Sequence, residues 1–266
     1  MEAAAETVMA YVTNALLPTL GMLAGMLGCI EAGRRLGIRR RAGAAESRDV
    51  SAPAIDGAIF ALFGLLIAFT FSGAMGRFDH RRDQIAEEAN AIGTAWLRID
   101  LLPADAQLQI RQLFREYVRS RIATYQDMSD VKTALAEYDR TQALQGEIWG
   151  RAVPSARSTG DVAVLRLVVQ SLNDMFDITT SRLHASRTHV PVPILALLFG
   201  LALVSALVVG YESAEDQQSS SFRRSMFAVV ISVCIFVILD LEQPRIGVIR
   251  IDEADRLLEE LLAQMK

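Results

Sequence analysis

The sequence predicts an all-α integral membrane protein with four transmembrane helices, two before and two after an extramembrane helical bundle. Four uncharged apolar segments predict the spans, at about 7–30, 57–76, 190–210 and 225–240. A helix crossing ~30 Å of hydrocarbon needs about 20 apolar residues, and soluble folds rarely leave so long a stretch without a charge. Residues 77–189, between the two pairs, are rich in charge and keep a helical spacing of apolar side chains. We therefore expect lipid to surround the four segments.

Residues 1–76 are predicted to form the first transmembrane hairpin. Its first span carries Gly21, Gly25 and Gly28, and small residues four apart let a neighbouring helix approach closely. Glycine is common in membrane helices in any case, so this packing face is a hypothesis. The connection at 31–52 holds six arginines, and short Arg-rich loops usually stay cytoplasmic. We therefore expect this loop in the cytoplasm, and the helical region and both termini on the other side of the membrane.

Residues 77–189 are predicted to form a helical bundle that continues spans two and three. A helix from Asp56 to about Leu101 would be ~65 Å long and would protrude from the bilayer until Pro103 ends it. Further helices are expected from Asp105 to Tyr125, at about 131–152 and at 161–188, with a loop at 154–160. Residues 190–241 form the second transmembrane hairpin, and 242–266 a short amphipathic tail.

Composition excludes several classes of function. The net charge of −4 gives no reason to expect nucleic-acid binding, which usually requires a concentrated basic surface. There are only three histidines, and the motifs His-Glu-x-x-His and Gly-x-Ser-x-Gly are absent from the sequence. We therefore expect no catalytic residues, no cofactor and no metal, and the lipid bilayer as the main partner.

One face of the second span carries an aromatic stripe. Asp56, Phe60, Phe63, Ile67 and Phe71 fall within about 80° of arc on a helical wheel. An acid at one mouth and apolar constrictions along a helix are features of ion pathways that gate by dewetting. The same stripe is also typical of a packing seam between helices, with the acid marking the membrane interface.

Beyond the stripe, Arg77 and Arg81 would form a cationic collar. The collar favours anions, whereas Asp56 favours cations, so the sequence leaves the ion open. A solvated helix face with local ion pairs is the alternative interpretation of this charged segment.

Three runs of residues resemble a known family. They are Glu87-Glu88-Ala89-Asn90-Ala91-Ile92-Gly93-Thr94-Ala95-Trp96-Leu97-Arg98, Arg115-Glu116-Tyr117-Val118 and Leu239-Asp240-Leu241-Glu242-Gln243-Pro244-Arg245. With them, over nearly its whole length, the chain resembles a bacterial membrane family catalogued as a domain of unknown function and labelled bestrophin-like. Bestrophins are pentameric ion channels with four spans per subunit and a pore lined by the second. The resemblance implies a homo-oligomer in the inner membrane of a bacterium, where the Arg-rich loop predicts that the helical region and both termini are periplasmic. Bestrophin topology implies instead a cytosolic helical region.

Two functions follow as hypotheses. The first is an oligomeric channel-like protein conducting inorganic ions along a pore lined by span two. The second is a non-conducting membrane scaffold or sensor. In that case Glu87, Glu88, Asn90 and Trp96 would form the surface that recognises a partner or ligand.

Overall fold

The computed structural model describes residues 9–43, 52–126, 131–214 and 221–265. These residues form helices and short connections without a strand, and the predicted all-α class is confirmed. The helices are α1 (Leu17–Gly43), α2 (Ala52–Arg98), α3 (Ala104–Gln126), α4 (Val131–Ser158), α5 (Val162–Arg187), α6 (Val192–Glu212), α7 (Ser221–Leu241) and α8 (Asp252–Gln264). A π-helical turn at Val12–Leu16 leads into α1, and a 3-10 turn at Ile99–Leu101 follows α2. Among the residues that the structure describes, four helical stretches are long and apolar enough to cross a membrane, and they contain α1, α2, α6 and α7.

The described chain divides into two compact units. The membrane unit comprises residues 9–76 and 189–249, and the helical unit comprises residues 77–188 and 250–265. α2 belongs to both, since its first 25 residues lie in the membrane unit and the remainder in the helical unit. With 47 residues it is about 70 Å long, twice the thickness of a hydrocarbon core.

In the membrane unit, α1 and α6 pack with their backbones in contact. A Cβ atom on Gly33 would lie 2.1 Å from the backbone oxygen of Leu207, and one on Gly210 would lie 2.0 Å from that of Ile30. Only glycine fits at either position, and the buried Ala202 and Ala206 continue the small face of α6. Close approach of this kind stabilises helix pairs where lipid is as apolar as the side chains.

The predicted glycine face of span one is therefore only partly correct. A Cβ atom on Gly21 or Gly28 would meet nothing within 4 Å, whereas one on Gly25 would lie 3.1 Å from Leu203. Among the glycines of α1 described here, the closest approach to α6 lies further along the chain, at Gly33. In a glycine-rich helix, small residues four apart occur on several faces. The position of the neighbouring helix, here α6, determines which of these faces is packed.

A buried carboxylate organises the connection after α7. Asp240 accepts hydrogen bonds from the hydroxyl of Tyr11 at 2.7 Å and from the backbone N–H groups of Val248 and Ile249, both at 2.8 Å. A Cβ atom on Gly247 would lie 2.7 Å from Oδ1 of Asp240. The absence of a side chain at residue 247 therefore lets the turn close onto the carboxylate.

In the helical unit, α3 and α4 pack together with the end of α2, with α5 and with α8. Buried side chains at helical spacing fill the centre, among them Ile92, Phe114, Ile148, Leu172 and Met175. Leu258 of α8 belongs to the same core. The tail thus packs on the helical unit through the apolar face of α8.

The loop predicted at 154–160 is wrong for most of its length. α4 continues through Pro154 to Ser158, since Val153 and Ala156 on its far turn are buried in the core. The chain turns at Gly160, whose φ of 71° is a left-handed value that glycine adopts without strain. Asp161 then caps α5 by accepting from the N–H of Ala163 at 2.7 Å.

Candidate functional site along the second membrane helix

Along its length α2 has a buried face and an exposed face. From Thr70 onward, residues on the buried face recur every three or four positions, and Phe63 lies two turns before Thr70: Phe63, Thr70, Ala74, Phe78, Arg81, Ile85, Glu88, Ile92 and Ala95. On the membrane-unit part of α2, large apolar side chains are exposed on the other sides of the helix, namely Leu62, Leu65 and Phe69. On the helical-unit part, Asp83, Glu87 and Asn90 are exposed.

The residues of the aromatic stripe predicted to line a pore differ in burial. Phe63 is only 3% exposed and so does not line a surface, which corrects its prediction as a pore residue. Phe60 is half-buried and meets Phe227 of α7 edge to face, with 6.3 Å between ring centroids. Asp56 and Ile67 are also half-buried. Phe71, at the margin of the stripe, is 43% exposed.

The cationic collar also needs correction. The Arg81 side chain is buried, and its guanidinium donates to the backbone oxygens of Ala185, at 3.1 Å, and Thr188, at 2.6 Å. These carbonyls lie at the C-terminal end of α5, where a helix has unsatisfied acceptors and a partial negative charge. Arg81 therefore stabilises a helix end. Arg77 is half-buried.

Two of the four residues predicted to form a recognition surface are buried. Glu88 has no exposed surface, and Trp96 lies in the core beside Phe114, with the guanidinium of Arg111 over its ring at 4.6 Å. These two predictions are corrected, because a buried side chain cannot meet a partner. Glu87 and Asn90 are exposed.

Glu88 instead forms the centre of a buried ion network. The Nε atom of Arg121 on α3 donates to its Oε1 at 2.5 Å, and Nη1 of Arg182 on α5 donates to Oε2. Burial disfavours an isolated carboxylate by several kcal/mol, and two guanidiniums within hydrogen-bonding distance offset that cost. The network joins α2, α3 and α5 within the helical unit.

A hydroxyl network lies beside these charges. The hydroxyls of Tyr117 and Thr179 are hydrogen-bonded to each other at 2.9 Å. The amide of Gln145 also donates to Thr179, at 3.2 Å. Burial and then the negative charge of Glu88 raise the pKa of Tyr117 to about 12, against the opposing charge of Arg121.

Sequence reasoning missed Arg121 and Arg182 as partners of Glu88. The signal in the sequence was a charge placed on an apolar helix face. Glu88 lies between Ile85 and Ile92, and Arg121 follows Phe114 and Tyr117 at intervals of seven and four residues. Charges at such core positions need a partner of opposite sign, because they are almost never fully buried otherwise.

In the described part of the chain, no group of three or more His, Cys, Asp or Glu side chains is arranged to hold a metal.

A family model described as the Bestrophin-like domain matches residues 21–255. The chain belongs to the bestrophin-like family. No curated protein matches its sequence. The runs that predicted the family include buried residues of this bestrophin-like chain, among them Glu88 in the ion network, Tyr117 in the hydroxyl network and Asp240 in the turn after α7.

The bestrophin-like fold is also seen in solved structures. A variant of a bacterial bestrophin homolog from Klebsiella pneumoniae superposes with a TM-score of 0.70 at 14% identity, covering 94% of this chain and 97% of that chain. A second structure of a bestrophin homolog from the same organism, phased with zinc, gives a TM-score of 0.68 at 14% identity and covers 92% and 97%. At this identity the likeness shows the fold. Together with the four apolar helices it makes the chain a bestrophin-like membrane protein.

Proposed function

We propose that the chain is a subunit of an oligomeric channel in which the exposed face of α2 lines a pore for inorganic ions. Membership of the bestrophin-like family supports the proposal. The observation that carries it is the face of α2 itself, where Leu65 and Phe69 are exposed while Phe63 of the predicted stripe is buried. One helix per subunit cannot enclose a pore, so several copies are required around an axis.

In this arrangement Leu65 and Phe69 replace Phe63 as the apolar constriction. Rings of apolar side chains gate pores by excluding water. Arg77 lies eight residues beyond Phe69, within about 80° of it around the helix, and is proposed at one mouth of the segment. Asp56 lies on the side of α2 opposite Leu65 and is not part of the proposed lining.

The charge on the side of α2 that carries Leu65 and Phe69 favours cations. Arg81, half of the predicted collar, is buried against α5, whereas the carboxylate of Asp83 is exposed on the same side of α2 as Leu65 and Phe69. Rings of acidic side chains attract cations to a pore. In asymmetric KCl we expect the reversal potential to lie between zero and the potassium equilibrium potential. Asp83→Asn should move the reversal potential closer to zero.

A matched pair of phenylalanines tests the lining of the pore. Phe69 is 66% exposed and Phe71 is 43% exposed, and they lie on opposite sides of α2 only two residues apart. In proteoliposomes, Phe69→Ala is expected to raise ion flux, whereas Phe71→Ala should leave flux near that of the unchanged protein. If Phe71→Ala alone raised ion flux, the pore would be lined by the face of α2 that carries the predicted stripe. No flux from any variant, or a monomer by light scattering, would favour the non-conducting scaffold.

Sidedness is a separate proposal. The Arg-rich connection between α1 and α2 is proposed to be cytoplasmic, which puts the helical unit in the periplasm. Labelling of Arg41→Cys and Ser158→Cys in intact cells with a membrane-impermeant maleimide tests it, with Cys29→Ser and Cys234→Ser in the background. Labelling of residue 158 alone supports the proposal, and labelling of residue 41 alone reverses it.

A further inference from the structure

Three helices of the membrane unit have an end on the same side of that unit. A Cβ atom on Gly37, near the end of α1, would lie 2.8 Å from the backbone oxygen of Tyr211 at the end of α6, so these two helices end together. Tyr11, before α1, donates to Asp240 at the end of α7, so α7 runs opposite to α1 and begins where α1 ends. We call this side, formed by residues 31–43, 209–214 and 221–226, the loop face.

The loop face carries an excess of positive charge. Six arginines with described side chains lie there, namely Arg34, Arg35, Arg39, Arg40, Arg223 and Arg224. The acids of the same segments and of the start of α2 are Glu31, Asp56 and Glu212. Glu31 accepts from Nε of Arg34 at 3.0 Å and from Nε of Arg35 at 2.7 Å, so one carboxylate serves two guanidiniums. The cations therefore outnumber the acids by six to three.

Three of these arginines surround an exposed leucine on α1. At about 100° per residue, Arg35, Arg39 and Arg40 fall within about 140° of arc, and Leu36 lies between the last two. The side chain of Leu36 is 52% exposed, and all three arginines are exposed. At the boundary of a membrane, long basic side chains lay their apolar stems along the hydrocarbon and keep the charge at the headgroups.

A tyrosine positions one of these guanidiniums. Nη1 of Arg40 donates to the hydroxyl of Tyr211 at 2.7 Å. Tyrosines at the end of a membrane span lie at the level of the lipid headgroups. The contact uses one of the five N–H donors of the guanidinium, so the group can also bind an external acceptor. At the start of α7, Phe222 is 72% exposed beside Arg223 and repeats the pairing of an apolar side chain with a guanidinium.

We propose that the loop face binds an anionic phospholipid, with Arg39 and Arg40 donating to its phosphate and Leu36 contacting an acyl chain. Basic clusters next to a membrane span attract anionic headgroups. A soluble phosphate compound would use the arginines and leave the exposed leucine without a role, so a lipid fits the surface better. The inference goes beyond the proposed channel, and it depends neither on ion conduction nor on the side of the membrane that the loop face occupies.

Native mass spectrometry of the full chain, released from a neutral maltoside detergent, tests the proposal. The probes are phosphatidylglycerol, phosphatidylcholine with the same acyl chains and no net charge, and glycerol 3-phosphate, which has the phosphate without the chains. We expect at least one phosphatidylglycerol per subunit to bind about tenfold or more tightly than either of the others. Equal binding of phosphatidylcholine would overturn the role of charge, and equal binding of glycerol 3-phosphate would overturn the assignment to a lipid.

Matched variants locate the site. Arg39→Gln combined with Arg40→Gln should weaken phosphatidylglycerol binding about tenfold or more, because two charges near the phosphate are removed. Arg119→Gln combined with Arg166→Gln makes the same change at exposed positions of the helical unit and should alter binding less than about twofold. Equal binding by the two double variants would overturn the proposal.

Leu36→Asn separates a lipid from a free phosphate at the same arginines. The variant keeps every charge and should also weaken phosphatidylglycerol binding, because the acyl chain loses an apolar contact. Unchanged binding in Leu36→Asn, together with loss in the Arg39 and Arg40 variant, would assign the site to phosphate alone and contradict the proposal. Circular dichroism of each variant establishes that it is folded before affinities are compared.

Discussion

Nε of Arg121 lies 2.5 Å from Oε1 of Glu88, and both side chains have 0% of their surface exposed. With Arg182 on the other carboxylate oxygen, three helices of the helical unit meet at one charge. A buried ion pair contributes little compared with an apolar replacement, but removing one partner leaves an uncompensated charge. The predictions below begin with this network.

Glu88→Gln is expected to destabilise the helical unit by about 3–5 kcal/mol, because two buried guanidiniums lose their counter-charge. Glu87→Gln is the matched control. It makes the same change at the adjacent exposed position and should shift stability by less than about 0.5 kcal/mol. Thermal unfolding in detergent, followed by circular dichroism, measures both. Equal melting temperatures for the two variants would show that the network contributes nothing.

The phenol of Tyr117 is expected to ionise late and to make stability depend on alkaline pH. Its pKa of about 12 in the folded chain lies above the ordinary value of 10.0, so its contribution is complete below pH 10 and is lost as pH rises toward 12. The difference between these two pKa values corresponds to a loss of the order of 2–3 kcal/mol in the free energy of unfolding. Absorbance at 295 nm, compared with Tyr117→Phe, should show one phenol with a midpoint near pH 12. A difference titration centred at pH 10 would contradict the prediction.

Gly33→Ala is expected to destabilise the membrane unit. The added methyl group would lie 2.1 Å from the backbone oxygen of Leu207, and backbone atoms on both helices must move to relieve the contact. We expect a cost of at least about 1–3 kcal/mol. Gly28→Ala is the control, since its methyl group would meet nothing within 4 Å. Sodium dodecyl sulfate titrated into mild detergent measures the stability of each protein. Gly33→Ala should unfold at a lower fraction of sodium dodecyl sulfate than both the control and the unchanged chain.

Asp240→Ala is expected to cost more than Tyr11→Phe. The alanine variant removes the acceptor for one hydroxyl and two backbone N–H groups, at about 1–3 kcal/mol for each buried donor left unmatched. The phenylalanine variant removes one donor and leaves the two backbone bonds in place. Unfolding in the same detergent titration measures both, and the reverse order of stability would show that the turn does not depend on the carboxylate.

The helical architecture could be predicted because the signals for it are local. Uncharged segments of about 20 residues mark helices in lipid, and Asp161 marks the start of α5 because its side chain caps the next turn. The loop at 154–160 was wrong for a tertiary reason. Pro154 is a local signal for a helix end, but burial of Val153 and Ala156 keeps the helix intact until Gly160.

The candidate site was less predictable. The run that contains Glu88 and Trp96 was predicted to be a surface, whereas the tertiary structure buries both residues, and the partners that neutralise Glu88 lie on α3 and α5. Those partners lie 33 and 94 residues away from Glu88 along the chain. No local pattern connects residues at such separations.

The sequence by itself determined that this is a four-span helical membrane protein with one helix far longer than a bilayer, because apolar length and helical period are properties of each segment alone. Only the tertiary structure decided which face of α2 is buried. Phe63 and Phe69 are equally apolar and both recur at helical spacing, yet the first packs inside the chain and the second is exposed. In a membrane helix both faces are apolar, since lipid and a packed neighbour are similar solvents for a side chain, so hydrophobicity cannot distinguish them.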